Sequence, residues 1–230
     1  MQVVLRLAFA VLLALPAISA AAADYRLLRI DGFLLKWDAP ELGEGADVSY
    51  GFATARESFA GAVNCGEMAP MAAMAPAWGG DPVRLERLTA EAFAMWSGAA
   101  DIDFRRAAAG ERPDILIGAQ ARPRRIAFAN VWHDAAAAAE GVAPLTRATI
   151  CFNPNMAWTT EGRAPRAGRQ DLRTALAHEI GHAIGLDHPG ARGTLMGFED
   201  QGPQAGLKPG DVAGAVALYG ARRPAQTRLR

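Results

Sequence analysis

Apolar positions along the chain fall into two periods. Alternation comes first at Asp47 to Thr54, where Val48, Tyr50 and Phe52 stand between smaller or polar residues and predict a strand. Shorter strands are predicted at Ile102 to Arg105, Asp114 to Gly118, Arg125 to Trp132 and Ala148 to Asn153. Helical spacing begins at Asp81-Pro82, an N-cap followed by proline in the first helical position, and runs through Leu85, Leu88, Ala92 and Met95 to Gly98. A second helix is predicted from about Asp171 to Leu186, with Leu172, Leu176, Ile180 and Ala183/Ile184 on its buried stripe. A third follows Pro209, carries Val212, Val216 and Tyr219, and closes at Gly220. Between the first strand and the first helix, Ala55 to Gly80 is rich in Met, Ala, Pro and Gly and reads as a long loop. Strands interleaved with two long helices define an α+β domain.

Composition narrows the function. The 230 residues carry 24 Lys+Arg against 24 Asp+Glu, so a nucleic-acid partner has no electrostatic footprint here. A chain of this length buries a core without help from cross-links, and one domain is expected. The first 23 residues stand apart: Arg6 precedes the apolar run Leu7 to Leu15, then Pro16 and Ala21-Ala22-Ala23 before Asp24. That run is shorter than the roughly 20 residues a bilayer span needs, and its layout is that of a secretory signal peptide. Residues 24–220 are then the mature domain, secreted or periplasmic, not inserted in a membrane and expected to be a monomer. Residues 221–230, with Arg222, Arg223, Arg228 and Arg230, read as a basic, disordered tail. In an oxidising compartment the two cysteines, Cys65 and Cys151, are expected to form a disulfide; the alternative is a thiolate capping a metal.

The chemistry concentrates in His178-Glu179-Ile180-Gly181-His182-Ala183-Ile184-Gly185-Leu186-Asp187-His188. Residues four apart on a helix share a face, so His178 and His182 can meet one ion. Gly185 accepts the left-handed turn that stops the helix and brings His188 round as a third ligand. Three neutral imidazoles and an open position are the donor set of catalytic zinc. Glu179, beside the pair, is the expected general base toward water at the metal. Three of the four histidines of the chain lie in this one spacing.

This stretch resembles the zinc motif of the metzincin clan of metalloproteases, and Met196 in Thr194-Leu195-Met196-Gly197 stands where that clan has its Met-turn. Within the clan the chain is most similar to the matrixins. Lys36-Trp37-Asp38 with Val48 to Phe52 looks like their first strand, Ala94 to Ser97 with Asp101 to Phe104 and Pro113 to Ile117 like the first helix and its strands. Ile150 to Asn153 with Trp158-Thr159, and Leu207 to Gly220, look like the segments flanking the active-site helix. The resemblance implies a metzincin (zincin-like) fold: a twisted mixed five-stranded sheet, two long helices and a small C-terminal subdomain. It implies an exported zinc-dependent endopeptidase acting on peptides or proteins. The alternative is a zinc-containing module of the same fold that binds a peptide or protein without turnover. Substrate would lie along Ala127 to Trp132, touching Ala127 and Ala129, with Leu195 to Gln204, Phe198 included, walling the next pocket.

The departures matter too. Matrixins hold a structural zinc and calcium on His- and Asp-rich loops, whereas His133 is the one histidine outside the motif, so a single catalytic zinc is expected and His133 is placed at a strand end or loop. Asp101, Asp103, Glu111 and Asp114 offer oxygens to calcium, but no clear motif supports that ion. Pro189-Gly190 is similar to the serralysins, yet Phe198 stands where they have a tyrosine, so an oxyanion donor has to come from backbone or from zinc. Cys65-Gly66 is similar to the zinc-capping pair of the matrixin pro-segment, but it follows the first strand instead of preceding it, and the Cys65–Cys151 disulfide is the reading adopted.

Overall fold

In the computed structural model of the chain, residues 25–160, 168–190, 193–197 and 206–223 are described. The proposed leader and Phe198 lie outside them. Five strands make the body of the sheet: β1 Ala46–Phe52, β2 Ile102–Arg106, β3 Ile115–Gln120, β4 Ala127–His133 and β5 Val142–Phe152. Their order is β2-β1-β3-β5-β4; the first four run parallel and β4 runs antiparallel to β5. Parallel neighbours need a crossover, and the helix α1, Pro82–Ala99, supplies it between β1 and β2. All six residues of β3 are buried, as a central strand covered on both faces requires. The metzincin-type α+β fold expected from the sequence is the one observed.

Helix α1 and helix α2, Leu172–Ala183, pack against each other on one face of the sheet; Trp96 Nε1 donates to the Ala177 carbonyl at 2.9 Å. Their starts are those the sequence predicts. Asp81 accepts from the Val83 amide and Asp171 from the Thr174 amide, each satisfying a donor the first helical turn leaves free. Helix α3, Pro209–Tyr219, closes the C-terminal subdomain.

Four expectations need correction. The second helix stops at Ala183, not Leu186, because Gly185 turns left-handed and Leu186–Asp187 pair with Arg26–Leu27 as a short ribbon. Strand β5 begins six residues before Ala148: Pro144 and Gly141 mask its start, yet Val142 to Pro144 run parallel to Phe33–Lys36. The stretch 55–80 is not a long loop. It holds a hairpin (Glu57–Ser58 with Glu67–Ala69), a 3₁₀ turn Met71–Met74 and a short helix Ala75–Trp78. Met68, Met71, Met74 and Trp78 all go into the core, which fixes a segment whose pieces are each too short to show a period. Lastly, residues 221–223 of the expected tail are docked: Ala221 bridges to Ala100, and Arg222 pairs with Asp103 at 2.6 Å.

The hairpin lies on the sheet face opposite the helices. The Cys65–Cys151 disulfide ties it to β5 across a sequence separation of 86. Around that bridge Ala53, Phe59, Met68 and Leu116 form a second, smaller apolar cluster, with Phe128 and Trp132 of β4 packed against it.

Candidate metal centre and active-site cleft

Helix α2 carries His178 and His182 one turn apart and has to end at once for His188 to return. Gly185 makes that turn at φ +99°, and a Cβ there would stand 2.1 Å from the Leu35 carbonyl oxygen. The last carbonyls of the helix are not left bare. Ala183 O accepts from Trp37 Nε1 at 2.9 Å, and Ile184 O from the Tyr219 hydroxyl at 2.7 Å. Leu28 N–H donates to Gly185 O, and the Leu186–Asp187 ribbon then delivers His188.

The three imidazoles converge. His178 Nε2 and His182 Nε2 lie 3.1 and 3.2 Å from His188 Nε2. Their other nitrogens face carbonyls: His178 Nδ1 is 2.7 Å from Leu195 O, and His182 Nδ1 is 2.9 Å from Leu186 O. A carbonyl only accepts, so both Nδ1 atoms carry the proton and both Nε2 atoms present lone pairs to one point. Burial keeps the rings neutral: it pushes His182 down to about 3, helped by its two histidine neighbours, and lowers His178 and His188. One proton on His188 would satisfy at most one of the two facing lone pairs. A divalent cation satisfies all three, so the donor set fits zinc.

Glu179 projects beside this point. The Ala129 amide of β4 faces its carboxylate, while Oε2 is buried without a protein partner. Loss of hydration pushes its pKa up to about 8. Below the histidines, a Cβ at Gly181 would lie 2.3 Å from Met196 Sδ, so the glycine leaves the space in which the methionine side chain seats against α2. The turn is held from α3: Asp211, 1% exposed, accepts from the Leu195, Met196 and Lys208 amides at 2.8, 3.0 and 2.8 Å. Through Leu195 O this carboxylate orients His178. Asp211 was not legible as a site residue, because an aspartate in a first helical turn already has a reason to be there.

A cleft of about 870 Å³ runs past Glu179 and the three histidines, along β4. Ala127 and Ala129 line it, with Thr194, Leu195 and Gly197; positions 198–204 of the expected wall lie outside the described residues. Three contributors were missed: Leu28 and Ile30 from the N-terminal segment, Asp171 and Thr174 from the start of α2, and Gly61, Val63 and Asn64 from the hairpin. Among the described residues β4 pairs only with β5, so it is a sheet edge. His133 ends β4 beside Phe33, 3.7 Å from Asp31 and apart from the triad. The four carboxylates considered for calcium have protein partners: Asp114 accepts from Ser49, Glu111 from Arg105 and Asp103 from Arg222, and Asp101 pairs with Arg223 at 3.7 Å.

A helix bearing two histidines and a glutamate, with a third histidine returned by the ribbon that follows it, set under a sheet edge and seated on a methionine turn, is the arrangement of a metzincin-type domain. The chain belongs to the matrixin family: residues 81–220 match the family model of the matrixins, peptidase M10. It is similar to matrix metalloproteinase-19 of Mus musculus, 33% identical over 136 residues, which is 58% of this chain and 25% of that protein. Against matrix metalloproteinase-19 of Homo sapiens the identity is 32% over 137 residues, 58% of this chain and 26% of that protein. The match thus spans about a quarter of the length of these relatives. Among the described residues no helix is long and apolar enough to cross a membrane.

Proposed function

We propose that the chain is an exported zinc metalloendopeptidase, with residues 1–23 as its leader and 24–220 as a catalytic domain acting as a monomer. His178, His182 and His188 hold the metal, Met196 lies beneath it, and Glu179 is the general base. The observation that carries this reading is the convergence of the three Nε2 atoms beside a buried carboxylate oxygen that no protein group satisfies. When bound, zinc supplies Lewis acidity toward a carbonyl and acidifies water. The chain's own residues do the rest. A peptide lies along the edge of β4, where the Ala127, Ala129 and Val131 backbone faces the cleft and extends the sheet by one strand. Beside a cation the Glu179 carboxylate ionises despite its burial, and its free Oε2 takes the proton that water loses on attacking the scissile carbonyl. The same oxygen then hands that proton to the leaving amine.

The test is cleavage of a mixed peptide library by the mature chain, wild type against Glu179→Ala, with bound zinc measured in both. One zinc in each and cleavage by the wild type alone supports the reading. Zinc in both with peptide bound and never cut turns it into a binding module of the same fold.

A further inference from the structure

The hairpin at residues 57–69 lies outside the region matched by the family model, and it is the part of the cleft that the active-site motif does not explain. Its tip reaches over β4. Asn64 N–H donates to Asn130 Oδ1 at 3.0 Å, Trp132 Nε1 donates to Ala60 O at 3.1 Å, and Arg124 donates to Asn64 O at 2.7 Å. Arg147 stacks over both Phe59 and Trp132, 4.5 and 5.7 Å from their ring centres. The tip is therefore pinned to the edge strand by two polar contacts and to Arg124, just ahead of that strand, by a third, and behind it the Cys65–Cys151 bridge fixes it to β5. This much fastening holds one apolar side chain out of the core: Val63 is 86% exposed and lines the cleft.

We infer that this stapled hairpin is the upper wall of the peptide site and that Val63 is a specificity-determining contact for apolar substrate side chains. The inference rests on the cleft being a peptide site, as proposed above. Side chains of β4 alternate: Phe128 and Trp132 pack toward the hairpin, whereas Ala127, Ala129 and Val131 pack toward the helices. A strand added at this edge alternates in the same way, so every second substrate side chain rises toward Val63 and the others point down. Selectivity written by the hairpin has a period of two residues. A wall that merely supported the fold would leave no such period.

The experiment immobilises zinc-loaded Glu179→Ala protein, which binds without cutting, and selects from a displayed library of random octapeptides. It is repeated in that background with Val63→Asp, and with Cys65→Ala/Cys151→Ala together. Val63 is exposed, so its replacement does not threaten folding. The expected result is enrichment of Val, Leu, Ile or Phe by about fivefold at alternate positions, the gain from partly burying one such side chain. Both variants lose that alternation. An unchanged positional profile with Val63→Asp overturns the contact, and an unchanged profile in the double-cysteine variant overturns the role of the staple. Selection of no peptide over a blank surface overturns both the wall and the peptide-site reading. Peptide selection that persists without alternation overturns the wall alone.

Discussion

A methyl group added at Gly181 would lie 2.3 Å from Met196 Sδ and 2.9 Å from Trp96 Cζ2; one added at Gly185 would lie 2.1 Å from a backbone oxygen, that of Leu35. The first clash is with side chains that can shift, at a typical cost of about 1–3 kcal/mol for overpacking. The second is with main chain, at φ +99°, where an L-residue is strained as well. Gly185→Ala is therefore expected to unfold at clearly lower urea than Gly181→Ala. The reverse order would mean that the methionine turn, not the Leu35 contact, is the tighter constraint on α2. Tyr219→Phe is the milder probe of the same helix end. It removes the hydroxyl that donates to Ile184 O and accepts from the Trp37 amide at 3.1 Å. Two buried backbone groups then lose their partner, so a loss of about 1–3 kcal/mol in denaturant unfolding is expected. A change within a few tenths would show that the two groups find other partners.

Among the elements, the ones legible in the sequence are those with local punctuation. Asp81-Pro82 starts α1, Asp171 starts α2 and Gly185 ends it, and the histidine spacing needs only the helix to be read. What was not legible depends on distant partners. Strand β5 looks short because Pro144 interrupts the pattern, and its first residues are defined by Phe33–Lys36, more than a hundred positions earlier. Asp211 matters through Leu195 and Met196, and the hairpin through Asn130 and Trp132. The disulfide joining that hairpin to the sheet closes a large loop, so it restricts the unfolded chain strongly. Its removal in Cys65→Ala/Cys151→Ala is expected to cost about 2–5 kcal/mol. Since the triad lies on the opposite face of the sheet, bound zinc per chain is expected to stay at the wild-type level. Loss of zinc along with stability would place the staple in the metal site's support.

Once the domain is stripped of metal, the histidines and Glu179 contribute opposing titrations to its stability between about pH 4.5 and about pH 8. His182 sits near 3 in the folded state against an ordinary 6.5, so the unfolded chain binds the extra proton between those values. Stability from this group is fully present above about 6.5 and is lost as pH falls toward 3; His178 and His188, also lowered by burial, act in the same direction. Glu179 does the opposite. Its carboxyl is raised from 4.5 to about 8, so the folded state holds a proton that the unfolded chain releases. That contribution is present below about 4.5 and is lost as pH rises to 8. Above 6.5 the histidines no longer titrate in either state, and Glu179 acts alone. Chelator-treated protein is therefore expected to be most stable near pH 6.5 and to lose up to about 2 kcal/mol by pH 8, at roughly 1.4 kcal/mol per unit for one proton. In Glu179→Gln the alkaline fall disappears and the acid limb stays. Zinc added to the wild type also removes the fall, since a cation beside the carboxylate favours its charged form. Unfolding curves from about pH 4 to about pH 9 distinguish these cases. A stripped wild type whose stability holds level from 6.5 to 8 would mean that Glu179 is already ionised without the metal, with water reaching an oxygen that the protein leaves unpaired.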